Sequence, residues 1–530
     1  MAYKGNTRDF PAGNGGLNGN LNIFRVPITD LVKSRNIRFD DRAWTKVGGL
    51  QPFDTTPIAG SPILLAGADW RPSPGVQRQI TAWSNGEVYK EVGGDIDNVQ
   101  LATGLNPTSQ LNFVEGGDIG SGSERELYVF GRGVTPQRLV GDANTLSAIT
   151  AESVDWAVNK PLGAVYHDAK IYAFGVSSAP HNLYASTLLD HGNFSGPDAR
   201  VFEVQTGIGN EIRAAFSYLP ETLFLFKFPV GIMSVNTTDT TSFFLPSNVI
   251  RRDIGVAGPG CVAKVQDNVF FISSNGRLYL LNALRPDVDP RNADITTQLN
   301  LTSFIQEFVN INRLDRARLV YDEFRNELLY CFSSRDSDVN DSILIFDFND
   351  PQAIIKASTD DRGRFWEGVW PRVGVDGFVD ILSGGEGGLV YENNALVRNI
   401  NNEAYTSEFA YAETDFSDIN PDIGRVEKNY DFLEIEILPT GNFEMTFDIS
   451  IDGENRISQG VSFEGADSSF DNAIFDSDEF SGRNTIKRRV EIGACGNKIG
   501  IGGFNSGLNQ NFQIVNIRVY YRILGDVYES

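Results

Sequence analysis

Cysteine and histidine are nearly missing from this chain of 530 residues: only Cys261, Cys331 and Cys495, and His167, His181 and His191, occur. No Cys-x-x-Cys spacing is present, so neither a disulfide framework nor a zinc knuckle is suggested, and reduced thiols are the expectation. So few imidazoles limit general-base, triad and zinc chemistry from the outset, although carboxylates could still act alone. No run of about 18 apolar residues is found, and the opening Met1-Ala-Tyr-Lys-Gly-Asn6 lacks the apolar core of a signal peptide. The expectation is a protein made and folded in the cytosol, without a membrane span. Cations are also in deficit. Lys and Arg total 45 against 69 Asp and Glu, a formal charge of −24. Stable attachment to a phosphate backbone needs clustered cations, so a conventional DNA-binding role is disfavoured.

What is abundant is material for short strands and turns. Hydrophobic residues make up 41% and aromatics 11%, with 53 glycines. A chain this long exceeds one ordinary core, and two or three domains are expected. Residues 1–60 are rich in Gly, Asn and Pro around one apolar stretch, residues 21–28, and read as an extended arm. Such an arm either tucks along its own domain or lies on a neighbouring subunit. Its Arg35, Arg38 and Arg42 are candidate assembly residues that would meet acidic surface elsewhere.

Over residues 61–400 one unit keeps returning: a β-rich run, a polar or Gly-containing turn, and a second β-rich run. Taking Thr81, Tyr128, Ile171, Leu223, Phe270, Leu329 and Asp380 as equivalent points, the successive spacings are 47, 43, 52, 47, 59 and 51 residues. A period of about 50 suits a four-stranded propeller blade of which the hairpin is the inner half, and seven hairpins suggest six or seven blades. Asn85-Gly86 and Asn275-Gly276 supply the positive φ that tight turns demand. A pair of ordinary β-sandwiches with evenly spaced hairpins is the alternative. A helix-like interruption at residues 301–309 accounts for the longest spacing.

A composition shift near residues 399–403 marks the start of a third region, residues 401–530, read as an antiparallel β-sandwich. Phe443, Met445, Phe447, Ile449 and Ile451 alternate with polar residues up to a turn at Asp452-Gly453, and Val515, Ile517, Val519, Tyr521 and Ile523 alternate likewise. Between them, residues 464–479 form an acidic segment with three phenylalanines that reads as a long loop or flap. The fold class is therefore all-β, a propeller-like centre with a C-terminal antiparallel sandwich.

No motif carries chemistry. The three histidines fall in turns and loops, where solvent exposure or a structural hydrogen bond is the ordinary role. Asp336-Ser-Asp-Val-Asn-Asp341 resembles a calcium loop at positions one, three and five, but has Asp341 where Gly is needed and Asp347 in place of the closing Glu. Asp287-Val-Asp-Pro-Arg-Asn-Ala-Asp294 is weaker still. Ser186-Thr-Leu-Leu-Asp-His-Gly-Asn-Phe194 resembles the Asp-box of sialidase propellers, which is itself a structural turn. The Gly-rich pieces Thr206-Gly-Ile-Gly-Asn210 and Gly384-Gly-Glu-Gly-Gly388 lack the Lys-Ser/Thr of a phosphate loop. No catalytic residue, metal site or cofactor is assigned.

In order along the chain, several stretches resemble one family. They are Gly15-Gly-Leu-Asn-Gly-Asn-Leu-Asn22, Ser34-Arg-Asn-Ile-Arg-Phe39, Lys46-Val-Gly-Gly49, Lys170-Ile-Tyr-Ala-Phe-Gly175 with Ala179-Pro-His-Asn-Leu-Tyr-Ala-Ser186, Ile254-Gly-Val-Ala-Gly-Pro-Gly260, Val269-Phe-Phe-Ile-Ser-Ser-Asn-Gly-Arg-Leu-Tyr279 and Phe512-Gln-Ile-Val-Asn-Ile-Arg-Val-Tyr-Tyr-Arg-Ile523. Together they resemble the tail hub, or nozzle, proteins of short-tailed bacteriophages. The resemblance implies a homohexameric ring in the virion tail, below the portal and adaptor rings and in contact with other tail proteins such as fibres or a needle. Its lumen would retain packaged double-stranded DNA and conduct it during ejection, without sequence-specific binding. A conduit should not stick to phosphates, so Glu464, Asp467, Asp471, Asp476, Asp478 and Glu479, or another carboxylate cluster, are expected to line or rim a channel. A propeller-type tail protein that binds or hydrolyses glycans is the alternative, needing Arg, Glu and Tyr to converge at the propeller centre, with Arg213, Arg277 and Tyr321 as residues to locate. A soluble scaffold unrelated to viruses is the third reading.

Overall fold

The computed structural model describes residues 5–11, 15–20, 26–40, 43–105, 110–116, 125–204, 207–220, 222–237, 247–284, 289–349, 355–362, 366–374, 377–394, 397–438, 440–463 and 485–524. Seven antiparallel sheets follow one another around an axis. Blades 1 to 4 have four strands each and begin at Leu64–Ser73, Asn112–Glu115, Gly163–His167 and Glu211–Leu219. Blade 5 has three strands, starting at Val262–Val265, and blade 6 runs from Arg318–Asp322 to Lys356–Asp360. Blade 7 starts at Val369–Val373, and its fourth strand, Gly49–Pro52, comes from far upstream. That strand pairs antiparallel with Val390–Asn394, placing Leu50 opposite Asn393, so the N-terminal region closes the ring. Among the described residues the count is seven blades.

Each of the seven spaced positions lies on the second strand of its blade, Thr81 on Val76–Trp83 and Asp380 on Val379–Gly384 at the two ends of the series. The recurring hairpin is thus the middle pair of strands and not the inner half. These second strands read as apolar runs because neighbouring blades cover both their faces: Lys170–Phe174 and Glu327–Ser333 are buried at every position. Apolar clusters fill the spaces between blades. One joins Trp70 and Ile80 to Leu127 and Val129 between blades 1 and 2, and another joins Trp370 and Leu382 to Leu64 and Trp83, sealing blade 7 against blade 1. Among the described residues blade 5 shows no fourth strand; the chain turns instead into short helices, including Thr302–Phe308, which covers the stretch expected to interrupt the pattern. Among the described residues no helix is long and apolar enough to cross a membrane.

The second body is a sandwich of two sheets around a core that includes Trp44, Phe409, Tyr430, Phe447 and Ile517. One sheet carries Ile37–Asp40, Ala43–Lys46, Gln513–Ile523, Lys428–Leu438 and Ile486–Gly496, with Asn6–Pro11 paired along Gln513–Ile523. The other carries Leu31–Arg35, Ser407–Tyr411, Ile499–Asn505, Phe443–Ile451 and Glu454–Phe463. It continues blade 6, through Arg35 beside Thr359, into a single nine-stranded sheet. Residues 1–60 are therefore not an extended arm: their described strands belong to both sandwich sheets and to blade 7. Each such strand finds its partner hundreds of residues away, a pairing that local composition does not record.

Phe443, Met445, Phe447, Ile449 and Ile451 all point into the sandwich core, and the turn has positive φ at both Asp452 and Gly453. The last strand departs from simple alternation. Ile514, Ile517, Val519 and Tyr521 are buried, whereas Val515 is not, because the pairing register shifts between Glu436 and Ile437. A bulge there inserts one residue and turns the preceding side chains to the opposite face.

Candidate functional site: the propeller axis

The first strand of each blade faces the axis. Two cavities lie between these strands. The smaller, 310 Å³, is bounded by blades 1, 2, 6 and 7 and lined by Asp69, Asn112, Phe113, Glu115 and Trp370 among others. The larger, 460 Å³, is bounded by blades 4 to 7 and includes Phe216, Lys264, Leu319, Tyr321 and Val369. Arg318 and Pro371 line both. The close approach of blades 7 and 1 requires Gly67, since a Cβ there would stand 2.1 Å from the Trp370 ring. Trp370 is fixed in turn by its Nε1 donating to Oε1 of Gln79 at 2.9 Å.

The carboxylates of the smaller cavity already have partners. Asp69 accepts from Nε2 of Gln77 at 2.7 Å and Nε2 of Gln79 at 2.8 Å, and Glu115 accepts from Arg125 at 3.3 Å. Burial nevertheless holds the Glu115 pKa above the usual carboxylate value, with Arg125 opposing. Arg318 is placed by the start of blade 6, and its Nη2 donates to the carbonyls of Leu65 at 2.8 Å and Leu111 at 3.4 Å. Burial pulls its pKa below the ordinary arginine value. At the mouth of the axis Arg316 bonds Glu367 at 2.8 Å, and the Arg316 carbonyl accepts from Gln110 and from Asn340. Burial raises the Glu367 pKa, against the pull of Arg316. No Ser, Thr, Cys or His lines either cavity among the described residues. The arrangement can hold a ligand by charge and apolar contact, and the Tyr321 phenol supplies a hydroxyl on the lining of the larger cavity.

Residues named from the sequence fall elsewhere. Glu464, Asp467, Asp471, Asp476, Asp478, Glu479 and Arg42 lie outside the described residues. Arg35 chelates Asp361 with Nε at 2.7 and 2.8 Å, and Arg38 is buried against Glu327 at 2.9 Å. The acidic groups that Arg35 and Arg38 meet lie at blade 6 of their own chain, the tucked alternative, which corrects their reading as candidate assembly residues. Beside them Arg362 and Asp360 form a fully buried pair at 2.6 Å, and Arg362 also donates to the Gly48 carbonyl. Arg213, Arg277 and Tyr321 do not converge. Arg213 holds Glu211 and stacks 3.7 Å over Phe228, Arg277 bonds Asp294, and only Tyr321 lines the axis.

The histidines are structural in their contacts. His167 is buried between the hydroxyls of Ser217 and Thr237 at 2.8 and 2.9 Å, and burial lowers its pKa. His191 is buried with Nε2 on the Ala169 carbonyl, and His181 faces Lys227 at 3.1 Å. The stretch 186–194 forms a turn of blade 3 in which Ser186 accepts from the Ile171 amide and Phe194 packs on Trp156. Asp341 of the calcium-like loop is bonded to the amide and hydroxyl of Ser334. Sequence reasoning missed a trio of carboxylates, Asp54, Asp95 and Asp97, whose oxygens lie within 4.8 Å of one another; Asp54 accepts from the amides of Thr56 and Ile96. It also missed Asp69, Glu115, Lys264 and Arg318. Extending each repeat one strand upstream of its hairpin would have reached all four.

The chain matches no protein-family model and no curated protein. Among solved structures it is similar to the WD40 β-propeller domain of Doa1, at 10% identity over 65% of this chain and 96% of that one, with a TM-score of 0.39. U3-55K gives 8% identity over 64% and 100%, with a TM-score of 0.38. The extracellular domain of a hybrid two component system, BT3049 from B. thetaiotaomicron, gives 11% identity over 68% and 46%, with a TM-score of 0.40. Scores this low carry no argument about function. The propeller rests on the strand order itself.

Proposed function

We propose that the chain is a structural subunit of the tail nozzle of a short-tailed bacteriophage, assembled as a homohexameric ring beneath portal and adaptor. The ring retains packaged DNA and conducts it during ejection. The observation that carries this reading is the nine-stranded sheet running from blade 6 into the sandwich, reinforced by the buried pair Arg38–Glu327 across the seam and by Arg362 donating to the Gly48 carbonyl. It joins propeller and sandwich through one sheet, which suits a subunit held rigidly in a ring. The formal charge of −24, repeated around a ring, suits a lumen that must not bind phosphates. Cavities of 310 and 460 Å³ are too small for a duplex, so on this reading the lumen runs between chains.

Electron microscopy of the purified assembly, together with virions carrying a tagged copy, tests the proposal. A sixfold ring with a continuous lumen and tag density at the tail is expected. A chain that stays monomeric, is absent from tails and binds on a glycan array overturns it in favour of a glycan-binding protein.

A further inference from the structure

Away from the axis, a cavity of 600 Å³ lies at the seam where the strand Leu31–Arg35 passes blade 6 and the helix Thr302–Phe308. Three aromatic rings line it. Phe304 and Phe308, one turn apart on the helix, stack with centroids 4.9 Å apart, and Phe304 meets Phe332 of blade 6 edge-on at 6.4 Å. Phe332 is buried whereas Phe308 is 53% exposed, so the aromatic wall reaches from the interior to solvent.

The charges around this cavity are matched, with one exception. Arg35 bonds Asp361 at 2.7 Å, Lys33 bonds Glu408 at 2.5 Å and Asp360 bonds Arg362 at 2.6 Å. Asp341 has no cation within ion-pair distance among the described residues. Its carboxylate accepts from the amide of Ser334 at 2.7 Å, from the Ser334 hydroxyl at 2.6 Å and from the Ser342 hydroxyl at 3.4 Å. Arg335, on the same hairpin, is exposed and forms no ion pair with it among the described residues. The pairing of the strands sets Asp341 beside the rings: Ser334 bridges Val309, the residue after Phe308, and Ser342, the residue after Asp341, lies opposite Phe332. Neutral donors leave a carboxylate its charge, and the negative faces of aromatic rings attract a cation as well. Apolar walls with a few polar anchors, at this size, are the usual form of a small-molecule site.

We propose that this cavity binds a small aromatic amine, its ammonium held by Asp341 and its ring against Phe304, Phe308 and Phe332. The site lies within one chain and does not depend on how chains assemble.

Calorimetric titration of the full chain with 2-phenylethylammonium tests the site, beside 2-phenylethanol, which lacks the charge, and methylammonium, which lacks the ring. Saturable binding of the amine is expected, with the alcohol and methylammonium each at least about tenfold weaker, since a charge-assisted contact and apolar burial are lost in turn. Asp341→Asn, which keeps an acceptor for the Ser334 amide, is expected to bring the amine down to the affinity of the alcohol and to leave the alcohol unchanged. Phe308→Ala, at an exposed ring, is expected to weaken the amine several-fold. Absence of saturable binding, equal binding of the alcohol or of methylammonium, or an unchanged affinity for the amine in either variant overturns the proposal.

Discussion

Nη2 of Arg38 lies 2.9 Å from Oε2 of Glu327, with 9% and 4% of the two side chains exposed, at the seam between sandwich and propeller. Removing one partner of a buried pair leaves the other charge uncompensated. Arg38→Met is therefore expected to destabilise the chain by about 3–5 kcal/mol, read as a lower midpoint in urea unfolding. A change below about 1 kcal/mol, the size of an exposed ion pair, would show that the seam is open to water.

The same pair predicts a pH dependence. Burial pushes Glu327 up to about 7 even though Arg38 opposes it. A carboxyl whose folded pKa is raised gives its full stabilising contribution below its unfolded value and loses it as the pH rises through the folded one. Between about pH 5 and pH 8 the wild-type chain should lose stability relative to Glu327→Gln, by up to about 3 kcal/mol. Parallel unfolding curves at the two pH values would contradict this.

Leu50 tests the closure of the ring. It is fully buried on the strand that completes blade 7 and packs in the cluster with Ile381, Tyr391 and Ile400. Leu50→Asp forces a carboxylate into that cluster, at a cost of several kcal/mol. Amide exchange should accelerate in Val379–Gly384 and Val390–Asn394 before it does in blades 2 and 3. Uniform exchange across all blades would mean that Gly49–Pro52 does not hold the ring shut.

The second strands were legible in the sequence because both their faces are covered. Tyr128, Leu223 and Leu329 sit in apolar runs that no surface strand would carry, and their spacing gave the repeat. The first strands were not legible. Arg318–Asp322 mixes charge with Leu, Val and Tyr because one end faces an axial cavity, so Arg318 resembled an ordinary surface arginine. Ser34 to Phe39 looked like an arm since its partners, Thr359 and Glu327, lie about 300 residues downstream, beyond any local pattern. Val515 was misplaced by a bulge, whose position depends on the partner strand and not on the residue itself.

Lys46 carries the opposite pH signature. It is 1% exposed, donates to Oδ1 of Asn505 at 3.0 Å and lies 4.4 Å over the Tyr405 ring, with no carboxylate bonded to it among the described residues. Burial, with a smaller push from Arg398, lowers its pKa to about 8. The unfolded chain then binds the proton more strongly, so stability should rise as the pH climbs from about 8 towards about 10.5, by at most about 3 kcal/mol. Lys46→Met should abolish that rise, and thermal unfolding at the two ends of the interval measures it. A rise of equal size in the variant would assign the effect to other groups.

The three thiols should separate cleanly by reactivity. Cys261 and Cys331 are fully buried in the propeller, and burial pushes the Cys261 thiol up to about 12 and that of Cys331 higher still. Cys261 is further held by donating to the Ala317 carbonyl at 3.2 Å. Cys495 lies exposed on the sandwich, beside Asn429. Only the thiolate attacks a disulfide reagent, and access is also required. One thiol per folded chain should therefore react with an aromatic disulfide near pH 8, and all three after denaturation. Cys495→Ser should remove the native reaction and leave stability unchanged within about 0.5 kcal/mol. Rapid modification of a second thiol in the folded state would require blade 5 or blade 6 to open, and would contradict the close packing of Cys261 and Cys331 between blades.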